Sequence, residues 1–155
     1  MIEKEISVLA LTSVSLPHEE VPPVGYRSAV TFLDYVIDGV PIRPLLGIEE
    51  VGVLSKDWDS KDFARRLVLD ESTNPDLGAR ALDGRAIVYG CRECLSVDCG
   101  GVAVKVTQVG NRIRWGEFEE FSTDWERCCL AFTPMGGGGY EFDVAQYRSM
   151  LEPFL

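Results

Sequence analysis

Hydrophobic and β-branched residues recur at strand-like spacing along most of the chain. Val102, Val104 and Val106 alternate with more polar neighbours, a pattern typical of a strand with one buried face. Residues 5–15 are β-branched and apolar enough to predict a strand covered on both faces. The predicted strands cover residues 5–15, 28–37, 40–46, 51–54, 86–89, 102–109, 112–121 and 128–133.

Glycine and proline mark the turns between these strands. Asp38-Gly39 fits a type I′ turn and Gly110-Asn111 a two-residue turn, so each joins two antiparallel neighbours. Pro41 and Pro44 remove two N–H donors from the strand after Asp38-Gly39, which predicts that this strand lies at a sheet edge. The four glycines at 136–139 predict a flexible surface loop.

Two segments carry helical signals. Residues 60–70 follow a capping residue and place apolar side chains on one face. A C-terminal helix is predicted to begin at Asp143, which forms a capping box with Gln146. Phe142 and Tyr147 supply the matching hydrophobic staple.

Together these elements predict an α+β fold in one domain spanning residues 1–155. The sheet is expected to be mainly antiparallel, built from β-hairpins and a meander, with about two α-helices including the C-terminal one. Asp34 shares a strand face with Val30, Phe32 and Val36. The pattern therefore predicts a carboxylate among apolar groups.

The charge of the chain narrows the classes of partner. It carries 25 acidic and 15 basic side chains, for a formal net charge of −10 at pH 7. Nucleic-acid binding depends on neutralising phosphates, so we expect no nucleic-acid partner and, for the same reason, no anionic membrane surface. No apolar run approaches the ~20 residues that span a bilayer. Because the N-terminus carries no secretory leader pattern, we expect a cytoplasmic protein.

Three cysteines within ten residues are the densest chemical signal. Cys91, Cys94 and Cys99 form a C-x2-C-x4-C run between two predicted strands. Zinc takes about four tetrahedral ligands, and a C-x2-C pair on a tight turn is a common source of two of them. The run predicts a structural zinc site, with Cys99 as the third ligand. The fourth ligand is left open among Cys128, which we favour, Cys129, His18, Asp98 and water.

Two other interpretations of the cysteines stay open. Small thiols also pack as hydrophobic groups, and free cysteine is among the most buried residue types. A redox or nucleophilic role is less favoured, because a turn and a strand, rather than a helix, follow the C-x2-C pair. Glu93 and Asp98 would also raise the thiol pKa values.

One segment resembles a family of uncharacterised small bacterial proteins. The likeness covers about residues 85–121 and rests on a C-x-E-C motif at 91–94, on Cys99-Gly100, on a valine-rich strand and on a W-x-x-F motif at 115–118. The resemblance brings no established activity. It implies that the cysteine hairpin forms one structural unit with Trp115 and Phe118.

An acidic segment interleaved with aromatic residues covers the second half of the third meander strand and the residues that follow it. Its predicted partner-binding residues are Glu117, Glu119, Glu120 and Asp124. Aromatic side chains anchor interfaces and charge accelerates encounter, so this surface is a candidate docking site for a basic protein. The alternative is a solvated strand and turn whose aromatic residues belong to the core.

The favoured function is that of a non-catalytic protein-binding module, by compositional analogy with bacterial immunity proteins, which are small, acidic and bind a toxin. Its cysteine hairpin would be stapled by zinc. One alternative is a small metal- or thiol-dependent enzyme that uses Cys91, Cys94 and Cys99. Another is a structural or assembly protein in which the hairpin is a zinc staple.

Overall fold

A computed structural model describes residues 5–23, 25–55, 60–69, 84–124 and 129–155. Its strands are β1 (Ile6–Ser7), β2 (Leu9–Leu16), β3 (Glu19–Glu20), β4 (Tyr26–Arg27), β5 (Val30–Ile37), β6 (Val40–Pro41), β7 (Val51–Gly52), β8 (Arg85–Gly90), β9 (Gly101–Val109), β10 (Arg112–Asp124) and β11 (Cys129–Asp143). Its helices are α1 (Ile42–Leu46), α2 (Ser60–Leu67) and α3 (Val144–Leu151), with a 3₁₀ turn at Glu152–Phe154.

Most of the described strands belong to one large sheet. Its order is β1-β11-β10-β9-β8-β7, and every neighbouring pair is antiparallel except β1 with β11. A second sheet has the order β2-β5-β6, and β3 pairs with β4. The predicted α+β architecture with a mainly antiparallel sheet and a C-terminal helix is confirmed. In the described ranges, no helix is long and apolar enough to cross a membrane.

A buried tryptophan joins the large sheet to the helices. Trp115 on β10 is fully buried, and its Nε1–H donates to the Tyr147 hydroxyl oxygen on α3 at 3.0 Å. That hydroxyl donates in turn to the carbonyl of Leu67 at the end of α2, at 2.6 Å. Two helices and the sheet thus share one continuous hydrogen-bonded chain inside the core, which leaves neither aromatic polar group unsatisfied.

A buried carboxylate joins the two sheets. Asp34 on β5 is 1% exposed, as the alternation predicted. It accepts hydrogen bonds from the Tyr89 hydroxyl on β8 at 2.5 Å, from Tyr35 N–H at 2.9 Å and from Arg43 N–H at 3.2 Å. Burial first, and then the negative charge of Asp34, raises the pKa of Tyr89, so the phenol stays protonated and donates.

The first predicted strand is two strands in two sheets. β1 pairs with β11, whereas β2, after one intervening residue, pairs with β5. The expectation of a strand covered on both faces is wrong, because Thr12, Ser13 and Ser15 are exposed. The physical reason is position: β2 is the outer strand of the smaller sheet, so part of its surface faces solvent.

The Asp38-Gly39 turn is confirmed, with φ values of 52° and 80° in the left-handed region that a type I′ turn requires. β6 lies at a sheet edge, as the prolines predicted. A strand over residues 40–46 is wrong, however, since α1 begins at Ile42. Pro44 is the third residue of this helix, where no intrahelical N–H bond is lost.

The four glycines at 136–139 lie inside β11 and do not form a separate loop. All four have φ values between 71° and 93°, which residues with a side chain rarely adopt. The pairing of β10 with β11 shifts there, from Glu117 opposite Gly138 to Glu119 opposite Pro134. The glycines therefore let the strand bulge and stay paired.

The predicted cap of the C-terminal helix is confirmed in part. The Asp143 carboxylate accepts from Gln146 N–H at 3.0 Å, and the Phe142 and Tyr147 rings pack with centroids 5.2 Å apart. The Gln146 side chain does not return to Asp143, as a capping box would require; it bonds both backbone groups of Leu9. This contact attaches the helix to β2.

Candidate functional site

The cysteine run connects β8 to β9, the antiparallel neighbours that the sequence predicted. The last ladder pair before the connection is Gly90 with Gly101. Gly100 has φ of 131°, and a Cβ atom placed on it would lie 2.5 Å from the carbonyl oxygen of Phe121 on β10. Glycine is required at this position, because the end of the connection closes directly onto the next strand.

The C-x2-C segment forms a tight turn. Leu95 N–H donates to the Cys91 carbonyl at 3.0 Å, and Cys91 N–H donates to the Ser96 carbonyl at 3.0 Å. Leu95 has φ of 49°, a left-handed conformation that costs a residue with a side chain roughly 1–2 kcal/mol. The turn therefore brings the Cys91 and Cys94 side chains close together at the cost of local backbone strain. Backbone strain of this kind is concentrated at ligand sites.

The three cysteines converge. Their Sγ atoms all lie within 4.8 Å of one another, and all three thiols are free. Cys91 is half-buried, whereas Cys94 and Cys99 are exposed. Sulfurs around a tetrahedral zinc ion are about 3.8 Å apart, given Zn–S bonds of about 2.3 Å. Shifts of about 1 Å would therefore bring this cluster to metal-binding geometry.

The pKa values of the thiols are driven apart by their mutual hydrogen bonds. Burial tends to raise the pKa of Cys91, but hydrogen bonds from the Cys94 and Glu93 N–H groups and from the other two thiols outweigh it and lower that pKa. Burial, followed by the hydrogen bonds to Cys99 and Cys91, raises the pKa of Cys94 to about 12. Cys91 is thus the more readily ionised thiol of this pair.

Two arginines fix the cysteine turn to the rest of the molecule. Arg92, between the first two cysteines, is 6% exposed and donates to the carbonyls of Ser28 at 2.6 Å and Pro17 at 3.2 Å. Arg27 donates to Glu93 at 3.1 Å. The turn is consequently anchored to the loops that flank the smaller sheet.

A cleft of about 260 Å³ borders the cluster. Cys91 and Cys99 contribute to its wall, with Arg27, Arg92 and Phe121. Its carboxylates are Glu49, Glu50, Glu93 and Glu120. Because four carboxylates meet two guanidinium groups, the lining is net negative and suits a cationic group.

Two of the predicted alternatives for a fourth ligand are not members of the cluster. Among the described residues, only Cys91, Cys94 and Cys99 belong to it. His18 instead bonds Glu20 at 2.9 Å and stacks on the Tyr26 ring. Asp98 also places no carboxylate oxygen in the cluster. Cys128 lies outside the described residues, as does the side chain of Cys129.

The residues of the predicted acidic surface lie in different environments. Glu117 is exposed and accepts from Gly136 N–H at 3.0 Å. Glu119 forms an ion pair with Arg85 in which both side chains are less than a fifth exposed. Glu120 is exposed and lies on the cleft wall, while the side chain of Asp124 lies outside the described residues.

Sequence reasoning did not identify the cleft carboxylates of the flanking loops. Glu49 reaches the site because Arg27 bridges it to Glu93, with donor distances of 3.2 Å and 3.1 Å. These residues are widely separated along the chain and carry no local motif. Only the position of Glu93 inside the C-x-E-C motif pointed to this region.

The fold and the site define a small α+β protein with a cluster of cysteines that has the ligand type and spacing of a metal centre. No protein-family model, no curated protein and no solved structure matches the chain. The resemblance inferred from the C-x-E-C and W-x-x-F motifs therefore stays a prediction.

The effect of the neighbouring thiols on the pKa of Cys91 can be tested in metal-free protein. Cys94→Ala removes a thiol donor to Cys91, so the pKa of Cys91 should rise and its alkylation at pH 7 should slow several-fold. Cys94→Ser keeps a hydroxyl donor and is the matched control. Peptide mass spectrometry after timed alkylation measures both rates. Equal Cys91 rates in the wild type and the alanine variant would contradict this account.

Proposed function

We propose that this protein binds one zinc ion through Cys91, Cys94 and Cys99. The observation that carries the proposal is the convergence of three free thiols within 4.8 Å on one strained turn. Thiolates are preferred zinc ligands, and the exposure of two of the three argues against simple hydrophobic packing. We further propose a cytoplasmic location, where reducing conditions would keep these thiols available.

The zinc would act as a staple for the hairpin. Cys91 lies directly after β8 and Cys99 two residues before β9, so one ion bound to both would close the connection between the two strands. In the metal-free cluster the pKa of Cys94 is about 12, so its proton must leave when metal binds. Zinc affinity should consequently rise with pH.

The favoured role for the stapled hairpin is protein binding without catalysis. The support is electrostatic: the adjoining cleft is lined by Glu49, Glu50, Glu93 and Glu120, and the whole chain carries a net charge of −10. Such a surface attracts a basic partner and repels nucleic acid. Of the predicted docking residues, Glu117 and Glu120 are exposed and suited to this role.

A second candidate function follows from the cleft. Catalytic zinc sites keep three protein ligands and one open position, and Cys91 and Cys99 both border a cavity of about 260 Å³. A metal held by three thiolates with an open position beside this cleft would be a candidate enzyme centre. The two functions differ in whether a chain residue, such as Cys128, completes the coordination.

The zinc proposal predicts one tightly bound ion per chain. Cys91→Ser and Cys99→Ser should each abolish stoichiometric binding, because each removes one of the converging thiolates. In the wild type, the dissociation constant should fall about tenfold per pH unit for each proton displaced between pH 6 and 8. Competition with a chromophoric chelator measures it. Wild-type protein that binds no zinc at any of these pH values would sink the proposal.

Cys128→Ser and Cys129→Ser identify the fourth ligand. In the strand that the sequence predicts for residues 128–133, neighbouring side chains point to opposite faces, so at most one of these changes should weaken binding. If neither does, cobalt-substituted protein provides the next step. An absorption spectrum that changes when imidazole is added indicates an open position and favours the enzyme; an unchanged spectrum favours the staple.

The binding role predicts charge-dependent capture of a basic partner. Glu120→Lys reverses a charge on the cleft wall, and capture from lysate should fall several-fold as complementarity is lost. Glu152→Lys makes the same change at an exposed position on the C-terminal 3₁₀ turn and is the control. Quantitative pull-down at two salt concentrations measures both. Equal losses of capture in the two variants would argue against the cleft as the binding site.

A further inference from the structure

The outer edge of β2 carries an open row of backbone hydrogen-bonding groups. On β5, Thr31 O accepts from Ser55 Oγ at 2.6 Å, and Leu33 N–H donates to Leu54 O at 2.9 Å. The backbone N–H and C=O groups of these odd-numbered residues therefore point away from β2. It follows that β5 forms its backbone hydrogen bonds to β2 through its even-numbered residues. The residues of β2 that bond β5 are therefore Ala10, Thr12, Val14 and Leu16.

The odd-numbered residues of β2 direct their backbone groups outward. At Leu9 these groups are already paired: its N–H donates to Gln146 Oε1 at 3.2 Å, and Gln146 Nε2 donates to its carbonyl at 2.7 Å. The amide side chain thus bonds the edge as a neighbouring strand would. At Leu11, Ser13 and Ser15, no backbone group of the described chain has a partner on this side.

This edge differs from the other sheet edges in the described ranges. β1 and β7 are two residues long, and the two-residue β6 ends in Pro41. β11 is interrupted by Pro134 and by the glycine bulge. Prolines, bulges, charges and short length are the devices that prevent edge-to-edge pairing. β2 has eight residues and none of these devices.

We propose that β2 pairs with β2 of a second copy of this chain, antiparallel, about a twofold axis at Ser13. This register places Ser13 opposite Ser13 of the second copy and Leu11 opposite Ser15 of the second copy. Because all three residues point their backbone groups outward, every open donor and acceptor in the row gains a partner. The two smaller sheets would join into one continuous six-stranded sheet.

The lack of charge on β2 makes this edge a place where two acidic chains can meet. Each chain carries a net charge of −10, so two copies repel one another wherever acidic surfaces meet. β2 contains no charged residue, and the contact itself adds no like-charge pair. The exposed side chains Thr12, Ser13 and Ser15 are small and uncharged, which lets the backbones approach. The dimer should tighten as salt screens the remaining repulsion.

The test is the oligomeric state across protein concentration, measured by analytical ultracentrifugation. Wild-type protein should form a dimer that strengthens with salt. Ser13→Lys places two like charges directly opposite each other and should weaken dimerisation at least about tenfold. Thr107→Lys makes an equivalent change at an exposed position on β9 and should leave the dimer intact. A mixture of Ser13→Lys and Ser13→Asp should restore it as a heterodimer.

Amide hydrogen exchange on wild-type protein provides a test without a variant. Protection of Leu11, Ser13 and Ser15 should increase with protein concentration, while Thr12 and Val14 are protected at all concentrations. A monomer at every concentration, or a dimer equally sensitive to Ser13→Lys and Thr107→Lys, would overturn the proposal. So would a monomer whose β2 edge is protected only by an added peptide.

Discussion

The architecture depends on one buried carboxylate. Asp34 lies inside the smaller sheet and accepts a hydrogen bond from the Tyr89 hydroxyl of the large sheet at 2.5 Å. An unpaired charge in this position would cost several kcal/mol, so its donors must be held in place. Tyr89 immediately precedes Gly90 and Cys91. The contact that joins the two sheets therefore also fixes the point where the cysteine turn begins.

The chemistry of the turn follows from crowding three thiols together. Hydrogen bonds from neighbouring N–H and thiol groups lower the pKa of Cys91, while the same contacts raise the pKa of Cys94 to about 12. In the metal-free cluster the Cys94 thiol is therefore harder to ionise than the Cys91 thiol. A divalent cation removes that restriction, because it replaces the protons and stabilises all three thiolates at once. We regard this as the physical reason for the zinc proposal.

The sequence predicted elements whose signals are local. The Asp38-Gly39 turn and the Asp143 cap depend on neighbouring residues; the turn is confirmed, and the cap is confirmed for its Asp143–Gln146 N–H bond. Alternation also identified Asp34 as buried, because its strand has one consistent face. The glycines at 136–139 were misassigned, since glycine is equally suited to a loop and to a bulge in a paired strand. The meeting of Glu49 with Glu93 at the cleft could not be predicted, because Arg27 brings them together from separate parts of the chain.

We propose that sulfur atoms of the β8–β9 connection hold a metal ion that braces two neighbouring strands. X-ray absorption at the zinc edge, on purified protein loaded with one equivalent of zinc, identifies the atoms that bind the ion. If the cysteines bind the zinc, its first coordination shell should contain at least three sulfur atoms at about 2.3 Å. A shell made only of oxygen and nitrogen, with the ion bound elsewhere on this acidic surface, would contradict it.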